Sequence, residues 1–140
     1  MNAIAFEFTR ADARGRWVIP LAGLLIGLAT ALGAFGSHAL KQVLPPDRLD
    51  VYDIAVTYQF YHSLGLLGIG FAIRFVDSAL LRFSAWMVLI GMLIFAGSIY
   101  VISFGAPRAV GIITPFGGAS LMIGWASFAL AMWRTRTPGD

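Results

Sequence analysis

Apolar residues run on through this chain rather than recur at intervals, in four stretches at 17–40, 51–73, 83–104 and 114–133. Charged residues collect between them, at 41–50, 74–82 and 105–113, and in the two tails, and only Asp53 lies inside a stretch. A helix needs about 20 mostly apolar residues, at ~1.5 Å each, to cross a hydrocarbon core of ~30 Å. Each stretch meets that length. Helices that are apolar on every side have no face to offer water, so the core of a soluble domain is a poor account of the pattern. Strands are a poor account too, because apolar and polar residues do not alternate and Leu, Ala, Gly and Met dominate over β-branched residues. The expected fold is all-α: an integral membrane four-helix bundle at 17–133, with a basic tail at 1–16 and a short tail at 134–140.

The few cations choose the orientation. Arg10, Arg14, Arg16, Arg74, Arg82, Arg134 and Arg136 fall on one face, and Lys41, Arg48 and Arg108 on the other, beside Asp47, Asp50 and Asp53. The positive-inside rule then puts both termini on the cytoplasmic side, and Trp17, Trp86 and Trp133 all fall near that same interface. The first stretch is longer than the apolar run of a secretory signal, so it is expected to remain as an anchor. With 59% apolar and 12% charged residues, lipid is the main solvent. The basic balance follows from arginines that meet anionic lipid head groups, which makes membrane lipids the expected partners and leaves no case for nucleic acid. The absence of cysteine excludes disulfides, thiolate metal sites and cysteine nucleophiles.

Proline marks two helix starts. Pro45-Pro46-Asp47 predicts that the second helix begins at about Asp47, with the carboxylate at its positive end. Thr114-Pro115 predicts a threonine cap followed by proline in the first helical position. Small residues mark the packing faces, because membrane helices recognise each other by close backbone approach. Gly23, Gly27, Ala31, Ala34 and His38 share one face of the first helix, which predicts that His38 points at protein. Gly117, Ser120, Gly124, Ser127 and Ala131 form a similar face on the fourth, and Ser84, Gly91 and Ser98 lie seven apart on the third. Gly33, Gly36, Gly97 and Gly118 are further packing candidates.

Ionisable and polar residues at membrane depth are costly and therefore candidates for function. His38, Tyr58, Gln59, His62, Ser98, Tyr100 and Thr114 form the candidate buried polar or ligand cluster. On the second helix, Val51, Ala55, Tyr58, Gln59 and His62 share a side expected to face the bundle. His62 lies about 16 Å below Val51 and His38 only about 3 Å below Leu40, an offset of about 13 Å that argues against a shared metal or haem. Thr30, about 15 Å below Leu40, is level with His62 and is its expected hydrogen-bond partner. Three roles stand open for the histidines: structural hydrogen bonding, which is favoured, a small-molecule or ion site, and metal or haem ligation. No metal site and no cofactor is expected, since no carboxylate or thiol accompanies either histidine. No phosphate loop, nucleophile elbow, zinc motif or intramembrane carboxylate pair is present, so nothing favours an enzyme.

Four runs in order carry a resemblance: residues 33–40 (Gly-Ala-Phe-Gly-Ser-His-Ala-Leu), 58–62 (Tyr-Gln-Phe-Tyr-His), 95–100 (Phe-Ala-Gly-Ser-Ile-Tyr), and 113–118 (Ile-Thr-Pro-Phe-Gly-Gly) followed by Gly124-Trp125. Together they resemble the small membrane proteins known as domain of unknown function 423, whose eukaryotic relatives are called transmembrane protein 256. Ser37 replaces the second alanine usual in the first run. The resemblance implies four membrane helices and no established activity. Its motif positions correspond here to His38, Tyr58, Gln59, His62, Gly97, Ser98, Tyr100, Thr114, Pro115, Gly117, Gly118 and Trp125.

The expected role is that of a non-enzymatic structural or accessory component acting through helix association, as a homo-oligomer or in a larger membrane complex. A transporter or channel for a small solute, proton or ion around His62 and His38 is the first alternative, and a haem- or quinone-binding subunit the second. The expected location is a bacterial cytoplasmic (inner) membrane, with a mitochondrial inner membrane as the alternative.

Overall fold

The structure, a computed structural model, describes residues 15–135; the tail assignments at 1–14 and 136–140, with Arg10, Arg14 and Arg136, lie outside the described residues. Four long helices follow one another: α1 (Val18–His38), α2 (Pro46–Phe75), α3 (Ala79–Ser103) and α4 (Thr114–Arg134), with short 3-10 turns at Leu40–Gln42 and Arg108–Ile112. α1, α3 and α4 are long and apolar enough to cross a membrane. α2, though the longest, misses that composition because Thr57, Tyr58, Gln59, Tyr61, His62 and Ser63 interrupt its apolar run.

The helix ends have identifiable causes. Pro45 is extended (φ −62°, ψ 151°), and its carbonyl accepts from the amides of Arg48 and Leu49 (both 3.0 Å), which opens α2 at Pro46, one residue before the expected start. Between α2 and α3 only residues 76–78 are non-helical, a far shorter link than the charged segment 74–82 led one to expect. Arg74 and Arg82 end the apolar runs but not the helices: α2 continues to Phe75, and α3 begins at Ala79, about a turn before its apolar stretch. Ser78 caps α3 by accepting from the Leu81 amide (3.4 Å), and Arg82 pairs with Asp77 across the link. α3 closes on Gly105, whose φ of +95° lets its amide bond Ile102 O (2.9 Å) while the Ala106 amide bonds Val101 O (3.2 Å).

Neighbouring helices pack antiparallel, in the order α1–α2–α3–α4, with no comparable α1–α4 contact. α3 is more deeply packed than α1 or α4: ten of its residues are buried, against four in each of those helices. Val18, Leu66, Ile69, Leu81, Val88, Met92 and Leu121 form the core. At the end where α1 begins and α2 meets α3, the Trp17 and Trp86 rings meet with centroids 4.5 Å apart.

The α3–α4 seam is the tightest. A methyl group on Gly91 would lie 2.7 Å from Leu121 N, and one on Gly117 2.5 Å from Phe95 N, so the two backbones touch. Hydroxyls close the seam: Ser84 Oγ donates to Gly124 O (2.8 Å) and Ser120 Oγ to Met87 O (2.8 Å). On α1 the buried small residues are Ala22, Ala29 and Gly36, seven apart. This corrects the expected α1 seam, because Gly23 and Gly27 face outward with nothing within 4 Å of where a side chain would begin.

Candidate functional site

The seven polar candidates separate into three pairs and one isolated residue. The first pair bridges three helices. Gln59, only 6% exposed, donates from Nε2 to Leu25 O of α1 (3.2 Å) and accepts at Oε1 from the Tyr100 hydroxyl of α3 (2.9 Å). One turn further along α2, Ser63 Oγ donates to Gln59 O (2.6 Å) and lies 3.4 Å from Met92 Sδ. Toward the start of α2, the Tyr52 hydroxyl donates to Leu32 O (2.8 Å). Tyr52 and Gln59 are seven residues apart on α2, as are Leu32 and Leu25 on α1, so two equivalent straps tie the helices in one antiparallel register.

Those straps depend on small residues. A helix carbonyl is flanked by the residue four positions on, and for Leu25 and Leu32 these residues are Ala29 and Gly36, both buried. A methyl on Gly36 would lie 2.7 Å from Tyr52 Cε1. Met87 O, which accepts from Ser120, is flanked in the same way by Gly91.

The second pair is Ser98 and Thr114, whose hydroxyls lie 2.7 Å apart, with Ser98 Oγ also donating to Phe95 O (2.9 Å). Thr114 was expected to cap α4; its side chain makes no cap bond and is spent on α3 instead, leaving Ile113 as the residue that precedes the helix. The third pair is Tyr58 and His62, nearly parallel (16°) with centroids 5.7 Å apart. Phe95 lies 4.6 Å from the Tyr58 ring and Trp125 lies 6.2 Å from the imidazole. Gly65 makes room for Trp125, since any side chain there would collide with the indole.

His62 Nδ1 sits 2.7 Å from Tyr58 O. A carbonyl only accepts, so Nδ1 carries a proton, and in the neutral ring Nε2 is left as an acceptor. The expected Thr30 partner is not used: Thr30 is exposed on α1 and bonds Ile26 O of its own helix (2.9 Å). His38 is also exposed, in the last turn of α1, and does not point into the protein as its small-residue face had implied. Rotation about the helix axis was misread: Thr30 and His38 both turn outward. Among the described residues no group of three or more metal-ligating side chains comes together, and none of the buried side-chain nitrogens or oxygens lacks a hydrogen-bond partner.

The packing glycines divide as well. Gly33 (3.4 Å from Val56), Gly36, Gly117 and Gly124 (2.7 Å from Val88) stand at close approaches; Gly118 is looser, 3.7 Å from the Phe95 ring, and Gly97 faces open space. Gly97 and Ala96 line a lateral groove of about 220 Å³ between α1 and α3, walled by Leu25, Leu32 and Met92, with Gln59 and Tyr100 at its polar end. Tyr52 and Ser63 were not singled out in the sequence. Nothing local marks them, and only the opposing Gly36 gives Tyr52 its place.

Four long helices, three of them apolar enough to span a bilayer and all joined by buried side-chain-to-carbonyl bonds, define an α-helical membrane protein that crosses the bilayer several times. The chain belongs to a family of such proteins: the model described as "Protein of unknown function (DUF423)" matches residues 32–118. A UPF0382 membrane protein of Staphylococcus saprophyticus is 36% identical over 116 residues, which cover 83% of this chain and 96% of the relative. One from Haemophilus influenzae is 37% identical over 76% of this chain and 86% of its own length. The UPF0382 inner membrane protein YgdD of Escherichia coli is 28% identical over 89% of this chain and 95% of its own length. No solved structure matches the chain.

Proposed function

We propose that this protein is a non-enzymatic accessory component of a bacterial inner membrane, acting by lateral association with other membrane helices. One observation carries the reading: the polar groups inside the fold are spent on holding its own helices together. A hydroxyl or amide committed to a neighbouring carbonyl is not free to move a proton or to handle a substrate. What is left uncommitted faces outward, where another membrane component would meet it. The open α1 face at Gly23 and Gly27 suits such contact, because small residues let helix backbones approach closely. The cytoplasmic placement of both termini rests on the distribution of arginine, and the inner membrane on the name of the Escherichia coli relative.

Native mass spectrometry of the protein extracted gently with its lipids tests the proposal. A defined oligomer, or a partner at fixed stoichiometry, is the expected result. A lone monomer at every concentration overturns it. So does a bound small molecule that disappears in His62→Ala, which would move the assignment to ligand binding.

A further inference from the structure

We infer that the outward face of α2, centred on Tyr61, is where two copies of this chain meet. The inference rests on the association reading above and names the partner and the surface.

Thr57, Tyr58 and Tyr61 are exposed on α2, Tyr61 at 66%. Among the described residues, none of their hydroxyls has a hydrogen-bond partner, and neither does His62 Nε2. Their depth follows from the antiparallel register: Gly33 meets Val56 and Gly70 meets Ile19, so Tyr61 is level with Leu28. Leu28 is the middle of α1, about 15 Å from either end. At that level there is no water to take a hydrogen bond, and an unpaired hydroxyl in hydrocarbon carries a cost that a partner removes. The composition of α2 points the same way. It is the one long helix not apolar enough to rank as a membrane span on composition, yet it turns a full face outward, from Ile54 through Thr57, Tyr61, Leu64 and Gly68 to Phe71.

The occupant follows from the chemistry of the patch. A hydroxyl both donates and accepts, so Thr57, Tyr58 and Tyr61 are complementary to their own copies. A two-fold contact needs this, because each residue there meets the same patch of the other subunit. The axis stands along the membrane normal, which keeps both copies in the same orientation and sets the two α2 helices parallel. No Lys, Arg, Asp or Glu lies between Ile54 and Phe71; the exposed Asp50 and Asp53 stand at the α2 end above the patch, beside Arg48. Gly68, with nothing within 4 Å of a would-be Cβ, permits close approach just below Leu64.

The chain contains no cysteine, so single cysteines report contacts cleanly by oxidative cross-linking in native membranes. Ile54→Cys, Leu64→Cys and Gly68→Cys probe the proposed interface; Leu24→Cys on α1, Leu93→Cys on α3 and Met122→Cys on α4 probe the other faces. The expected result is a disulfide dimer from the three α2 positions alone. In the Leu64→Cys background, Tyr61→Phe is expected to weaken dimerisation by roughly threefold to tenfold. Tyr61 makes no internal bond, so that change leaves the fold intact. Dimers formed through α1, α3 or α4 instead overturn the α2 assignment while keeping the association reading. A mixed disulfide between an α2 cysteine and a different polypeptide overturns the second copy as occupant. Monomer at all six positions, with no partner in native mass spectrometry, overturns both.

Discussion

The hydroxyl of Tyr52 on α2 donates to the backbone carbonyl of Leu32 on α1 at 2.8 Å. That carbonyl already serves its own helix, and it takes a second donor only because the residue flanking it is Gly36. Removing the donor and blocking the approach are therefore different perturbations. Tyr52→Phe loses one membrane hydrogen bond, expected to cost about 0.6 kcal/mol. Gly36→Ala drives a methyl to 2.7 Å from the Tyr52 ring and is expected to cost more, about 1–3 kcal/mol. Unfolding by sodium dodecyl sulfate in mixed micelles, followed by tryptophan fluorescence, ranks the two. A Tyr52→Phe loss larger than that of Gly36→Ala would show that the bond, not the approach, holds α1 to α2.

Gln59 and Tyr100 behave as one unit. Gln59→Leu leaves the Tyr100 hydroxyl with no acceptor at a part-buried site, and the expected loss is about 1–3 kcal/mol. Replacing both partners with apolar groups removes the stranded hydroxyl, so Gln59→Leu with Tyr100→Phe should be more stable than Gln59→Leu alone. The double-mutant cycle is expected to return a coupling of at least about 0.5 kcal/mol. Additive losses would mean that the two side chains act separately.

The family glycines should not respond alike. At Gly117 a methyl would lie 2.5 Å from Phe95 N and 3.0 Å from Gly91 O, both backbone atoms that cannot step aside. Gly117→Ala is therefore expected to open the α3–α4 seam at a cost of about 3 kcal/mol. Gly97 meets nothing within 4 Å, and Gly97→Ala is expected to gain about 0.5–1 kcal/mol from the lower backbone freedom of alanine. The same micelle titration separates them, and equal losses at both positions would contradict the packing described for Gly97.

Much of this architecture is legible in the sequence because lipid imposes long apolar runs and proline marks the starts of α2 and α4. The seam of Ser84, Gly91 and Ser98 is legible too, since small residues seven apart on α3 face a similar run on α4. The α1 seam is less so. Small residues permit close approach on either face, and the face that is buried, Ala22, Ala29 and Gly36, is chosen by Tyr52 and Gln59 arriving from α2. The pairing of His62 with Thr30 went astray for a related reason: axial rise gives the level of a residue, while its direction depends on the third helix packed beside it. Here Phe95 and Trp125 draw Tyr58 and His62 toward α3 and α4. α2 runs on to Phe75 and α3 starts at Ala79, outside the apolar stretches that stop at 73 and resume at 83, because arginine ends hydrophobicity without ending a helix.

Orientation is the last expected outcome. Arg16, Arg74, Arg82 and Arg134 lie at the end of the molecule where Trp17 meets Trp86, and Lys41 and Arg48 lie at the opposite end. A bilayer that retains arginine on its cytoplasmic side holds the first end inward. Green fluorescent protein fused after Asp140 should then be fluorescent, and alkaline phosphatase fused there should be inactive. A phosphatase inserted at Pro107, between α3 and α4, should be active. Moving charge should move the chain: neutral residues at Arg16, Arg74, Arg82 and Arg134, with two lysines added beside Lys41, are expected to yield a mixed or inverted population in the same assay. An unchanged population would mean that apolar length or packing between the helices, rather than arginine, sets the direction of insertion.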